Sequence, residues 1–140
     1  MYQIQACEEE DKRYIVDRLV AYNLTQVPAR QEELFVDLSR KAVAESGEVI
    51  AGIIARMYCW NCADVDVLWV ADCCRGNGIG KRLLRETEET AREKGAHLIH
   101  LDTFDFQAKE FYEGLGYEVF GVLDDCPRGH ERYYMKKRLA

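Results

Sequence analysis

The strongest constraint on this 140-residue chain is one stretch, Val65-Asp66-Val67-Leu68-Trp69-Val70-Ala71-Asp72-Cys73-Cys74-Arg75-Gly76-Asn77-Gly78-Ile79-Gly80-Lys81. An apolar run leads into three closely spaced glycines, and Ile79, Leu83 and Leu84 then recur at helical spacing. That pattern predicts a strand, a tight turn and an amphipathic helix over 79–94, with Gly95 as the residue that stops it. The first turn of a helix leaves its N–H groups without intrahelical partners, and the macrodipole adds partial positive charge there. Gly76, Gly78 and Gly80 remove side chains that would hold an anion away, while Arg75 and Lys81 add cationic donors. The stretch is therefore predicted to cradle a phosphate or pyrophosphate; the plainer possibility is a glycine-rich connection with no ligand. Two common phosphate motifs fail. A GxGxxG reading ends on Lys81 from Gly76 and on Leu83 from Gly78, and Gly80-Lys81 is followed by Arg82 where a Walker sequence needs Ser or Thr.

The remaining pattern places this stretch in a larger order. Residues 2–6 alternate and read as a short strand. Acids at 8–11 then open a helix carrying Ile15, Leu19 and Tyr22, and Pro28 suits the start of a short second helix that buries Leu34 and Phe35. Residues 41–45, 49–59 and 63–70 read as an antiparallel meander turning at Gly47-Glu48 and Trp60-Asn61. A strand at 97–103, a helix at 107–115 ended by Gly116, and strands at 117–122 and 132–136 complete the chain. The prediction is one mixed α/β (α+β) domain spanning 1–140, with a largely antiparallel central sheet flanked by helices.

Arg75-x-x-Gly78-x-Gly80, after an apolar strand and before Ile79-x-x-x-Leu83-Leu84, resembles the acetyl-CoA pyrophosphate loop of the GNAT superfamily of N-acetyltransferases. A second segment is in register with the family's Asn-x-x-Ala-x-x-Phe-Tyr-x-x-x-Gly-Phe pattern through Ala108, Phe111, Tyr112 and Gly116. It departs from that pattern at Asp105 and Tyr117. The resemblance implies that acetyl-CoA is the cosubstrate and that the strands at 63–70 and 97–103 splay to receive it. Backbone groups of Leu68, Trp69 and Val70 would pair with the pantetheine arm, and those of Arg75, Gly76, Asn77, Gly78, Ile79, Gly80 and Lys81 would hold the pyrophosphate. Gln107 would supply the amide that Asp105 does not. Tyr112 would protonate the departing thiolate, its other reading being a core aromatic beside Phe111. Asp64 and Asp66 are the candidate bases for the incoming ammonium. Simple alternation places both on the strand face of Leu68, and their valine neighbours invite partial burial that would raise their pKa. The other reading is that both face solvent.

The implied activity is transfer of an acetyl group to a primary amine of a small molecule, or less readily of a protein, by direct attack; the alternative is a non-catalytic acyl-CoA-binding regulatory module. A formal charge of -6 argues against nucleic acid as a partner and favours a cationic acceptor. No apolar run reaches membrane-span length, and no basic, apolar leader opens the sequence, so a cytoplasmic protein is expected, with a homodimer as a family-typical assembly. Six cysteines include the pair Cys59 and Cys62 at CxxC spacing, which raises a zinc or thiol site, but four ligands are not evident and no metal is expected. Cys73 and Cys74 are adjacent and would point apart on an extended backbone.

Overall fold

A computed structural model describes residues 1–140, which form two compact units, 1–30 and 31–140. In the first unit, helix α1 (Glu9–Gln26) opens with a reciprocal cap between Glu8 and Asp11, the Glu8 N–H donating to the Asp11 carboxylate at 2.8 Å. Glu9, Glu10 and Asp11 complement the positive end of the helix. The expected strand at 2–6 does not form, because these residues join no ladder. Five alternating residues can adopt an extended shape, but only a neighbouring edge makes them a strand. Nor is there a helix after Pro28: residues 30–34 are bends.

The second unit is built on a seven-stranded sheet. Its strands are β1 (Phe35–Asp37), β2 (Arg40–Val43), β3 (Val49–Tyr58), β4 (Cys62–Val70), β5 (Leu98–Phe104), β6 (Glu118–Asp124) and β7 (Glu131–Arg138). The order is β1-β3-β4-β5-β7-β6, with β2 also paired to β3. Every pairing is antiparallel except β4 with β5. Helix α2 (Ile79–Glu93) buries Leu83, Leu84, Thr87 and Ala91, and the Thr87 hydroxyl donates back to the Leu83 carbonyl at 2.9 Å. Their heptad-like spacing puts them on one stripe, which joins Ile53, Met57, Ile99 and Met135 in the core. The short helix α3 (Lys109–Gly114) adds Tyr112 to the same core. No helix is long and apolar enough to cross a membrane.

Two irregularities in β4 shape everything that follows. β4 pairs with β5 only at Cys62–Leu98, Ala63–Ile99 and Asp64–His100; beyond that rung the two strands separate. Along its other edge, Ile54 faces Val67 but Ala55 faces Val65, so Asp66 is an extra, unpartnered residue in a β-bulge. The bulge overturns the expected alternation. Leu68 pairs with buried Ile53 and Val65 with buried Ala55, so Leu68 shares the core face with Val65. Asp64 pairs with exposed Arg56 and lies on the opposite face.

Candidate active site

A cleft of about 690 Å³ occupies the gap between the separated strands. Leu68, Trp69 and Val70 form one wall, Gln107, Ala108 and Tyr112 another, and the turn into α2 closes the end. In an antiparallel pair, successive residues point their N–H and C=O groups alternately at the partner and away from it. The Ala71 N–H donates to Ile50 of β3, so Ala71 and Trp69 face β3 while Leu68 and Val70 present their backbone groups to the cleft. The Val70 carbonyl accepts from Arg75 Nε at 3.1 Å. A free strand edge therefore lines the cleft at Leu68 and at the Val70 N–H, and Trp69 contributes its surface rather than its backbone.

The turn into α2 owes its shape to glycine. Gly76 and Gly78 have φ of +82° and +79°, and Gly78 is the residue that caps α2. A Cβ at either would meet nothing within 4 Å, so it is backbone conformation rather than crowding that calls for glycine there. Gly80 differs, since a Cβ would make only ordinary contact with Val70 and Phe111, at 3.5 and 3.7 Å. The first intrahelical bond is from Arg82 to Gly78, which leaves the N–H groups of Ile79, Gly80 and Lys81 unpaired at the positive end of the dipole. No acidic side chain occupies that first turn. Lys81 is an exposed ammonium without an ion pair, whereas Arg75 braces the loop through Val70 and a 2.8 Å bridge to Asp72. Asn77 turns its side chain back onto the Cys74 carbonyl and does not line the cleft.

The facing wall is the turn at 105–108 and the start of α3. The Gln107 side-chain oxygen accepts from the Phe104 N–H at 2.8 Å and from the Thr103 hydroxyl, leaving its NH2 group as a donor at the cleft. Asp105 instead accepts from the Glu131 N–H and meets His130 Nδ1 at 2.8 Å, tying this wall to the β6–β7 connection. The hydrogen bond from Glu131, foremost, holds its carboxyl below the usual range. Tyr112 is 6% exposed and its hydroxyl makes no hydrogen bond within the protein, yet no buried polar side-chain atom is left without a partner, so the hydroxyl opens to the cleft. Burial first, and then the charge of Asp102, push its pKa up to about 12.

Asp64 and Asp66 line a second concavity, of about 570 Å³, with Phe35, Asp37 and Arg56. Asp64 is half-buried in a 3.3 Å pair with Arg56, whereas Asp66 is exposed and lacks the partial burial expected of it. The cysteines also depart from expectation. Cys73 and Cys74 lie in a 3-10 turn, Asp72–Cys74, which brings their sulfurs to 3.4 Å, and Cys74 lines the cleft. Cys59 is buried, desolvation raises both it and Cys62, and no group of three or more His, Cys, Asp or Glu side chains converges as a metal site. Sequence reasoning missed Phe106, an exposed aromatic at the cleft stacked on Phe104, and Glu88, buried in α2 with both oxygens engaged by Tyr117 at 2.6 Å and Lys137 at 2.9 Å. The departure at Tyr117 was the available signal for Glu88, because a hydroxyl where the pattern has Phe calls for a buried acceptor.

Residues 2–117 match the acetyltransferase (GNAT) family model. Blasticidin-S acetyltransferase of Streptomyces morookaense is 36% identical over 99 residues, 70% of this chain and 72% of that protein. The crystal structure of an acetyltransferase from Bacillus cereus superposes with a TM-score of 0.88 at 34% identity, covering 98% of this chain and 97% of that one. An aminoglycoside 6'-N-acetyltransferase complexed with coenzyme A shares the fold, with a TM-score of 0.62 at 19% identity over 99% of this chain and 98% of that one. A family match running through both motifs, on a sheet parted where they meet, establishes that the chain belongs to the GNAT family of acetyltransferases.

Proposed function

We propose that the protein transfers the acetyl group of acetyl-CoA to a primary amine of a small cationic molecule, by direct attack of the amine on the thioester. The observation that carries this reading is the parted β4–β5 cleft, with a free strand edge on one wall and unpaired helix N–H groups at its end. These parts fit the donor in order. The N–H groups of Ile79, Gly80 and Lys81, with the Lys81 ammonium, suit a pyrophosphate. Leu68 and the Val70 N–H can pair with the amides of the pantetheine arm as an added strand would, and the free NH2 of Gln107 faces them. The fold-sharing aminoglycoside acetyltransferase was solved with coenzyme A.

Tyr112 supports the chemical step. With a pKa of about 12 it keeps its proton at neutral pH and can donate it to the departing thiolate. Of the two candidate bases, both of which line the second concavity and not the cleft, Asp66 has the free carboxylate: it stands at the bulge without an ion pair while Asp64 is committed to Arg56. Asp37, Asp64 and Asp66 in one concavity favour a positively charged acceptor. The names of the Streptomyces relative and of the aminoglycoside enzyme point to small-molecule acceptors for those proteins. Titration calorimetry with acetyl-CoA, followed by CoA-thiol release across a panel of amines, tests the proposal. Absence of binding removes the donor, and binding without amine-dependent release removes the transfer.

A further inference from the structure

We propose that Cys73 and Cys74 form a reversible thiol switch on the loop that enters α2, closed to a vicinal disulfide by exchange with a low-molecular-weight disulfide, and that the closed form loses affinity for acetyl-CoA. The proposal rests on the donor reading above. Its basis is geometric. The 3-10 turn holds the two sulfurs at 3.4 Å, with Cys73 exposed to a small disulfide and Cys74 half-buried at the cleft. The other four thiols lack this arrangement: Cys59 is buried, and neither Cys7, Cys62 nor Cys126 has a thiol hydrogen-bonded to it.

Closure cannot leave the turn as it is. A disulfide is about 2.05 Å long and normally joins Cα atoms at least about 4.4 Å apart, whereas neighbouring Cα atoms across a trans peptide are about 3.8 Å apart. The sulfurs must close by roughly 1.4 Å (3.4 less 2.05), and the backbone must rearrange to let them. That backbone holds the loop: the Cys74 N–H donates to Ala71, the Cys74 carbonyl accepts from Asn77, and Asp72 anchors Arg75. Rearranging it displaces the N–H groups that face the cleft. The same strain makes the bond easy to reduce, so the switch reverses.

The exchange balances in two steps. The Cys73 thiolate attacks one sulfur of the small disulfide and expels a thiolate; the Cys74 thiolate then attacks the Cys73 sulfur and expels the second. The protein gives up two protons and two electrons, and the small disulfide becomes two thiols.

The test treats the whole chain with glutathione disulfide, maps the products by peptide mass, and measures acetyl-CoA affinity before treatment, after it, and after dithiothreitol. The expected result is a Cys73–Cys74 disulfide, affinity weakened roughly tenfold or more through loss of at least one charge-assisted hydrogen bond, and full recovery on reduction. Cys73→Ser, which cannot close the ring, keeps its affinity in the fraction free of glutathione adduct. A mapped disulfide that leaves affinity unchanged overturns the switch alone, as does treatment that yields only adducts or other pairings. Reduced protein that binds no acetyl-CoA overturns the donor reading and the switch with it.

Discussion

Replacing Tyr112 with Phe separates catalysis from folding unusually well. The ring is buried against Phe111 and Tyr117, so Phe keeps the packing. The hydroxyl has no protein partner, so its loss should change stability by no more than about 0.5 kcal/mol. Turnover should respond strongly. A positioned general acid contributes about 10²- to 10⁴-fold, and a thiolate whose conjugate acid has a pKa near 8.5 leaves readily enough to place the effect near the lower end, about 2.7 kcal/mol in the barrier. The pH dependence follows from the same group. An acid must be protonated to act, so its contribution falls as pH rises through its pKa. Desolvation moves that limb from the ordinary value of 10.0 to about 12, leaving the wild-type rate free of a Tyr112-dependent decline across pH 9 to 11. The assay pairs CoA-thiol release with urea denaturation and acetyl-CoA calorimetry. Turnover within about threefold of wild type would refute the acid role, and destabilisation by more than about 1 kcal/mol would show that the hydroxyl has a partner in the fold.

Asp66→Asn should lower kcat at neutral pH by about tenfold or more without weakening acetyl-CoA binding, and Asp64→Asn should cost less because Asp64 is already paired with Arg56; steady-state kinetics with an accepted amine distinguish them. Tyr117→Phe should destabilise the protein by about 1–3 kcal/mol, since it strips a donor from buried Glu88, with acetyl-CoA affinity unchanged in calorimetry and the loss visible in thermal melts. Gly78→Ala should cost about 1–2 kcal/mol of stability for the left-handed backbone alone and also weaken acetyl-CoA binding, whereas Gly80→Ala should be neutral or slightly stabilising because its Cβ finds ordinary contacts.

Much of this was legible in local chemistry. Ile79, Leu83 and Leu84 marked α2 because helical periodicity is written in residues three and four apart. Gly95 marked its end because a left-handed residue after the last turn excludes most others. The meander at 49–70 followed from β-branched runs separated by a short turn. The misses share a different cause. Residues 2–6 alternate correctly, but a strand is completed by a neighbour that no local pattern specifies. The face of Asp64 was misassigned because one unpartnered residue at Asp66 reverses an alternation that is otherwise sound.

The sequence by itself determined the elements, the phosphate-facing turn and the family resemblance, because each depends on residues within a few positions of one another or on motifs of fixed spacing. Only the tertiary structure decided where β4 and β5 part, that the Tyr112 hydroxyl reaches the cleft, and that Asp66 rather than Asp64 stands unpaired. Those outcomes depend on register, burial and backbone curvature, which are set by contacts among residues distant in the chain.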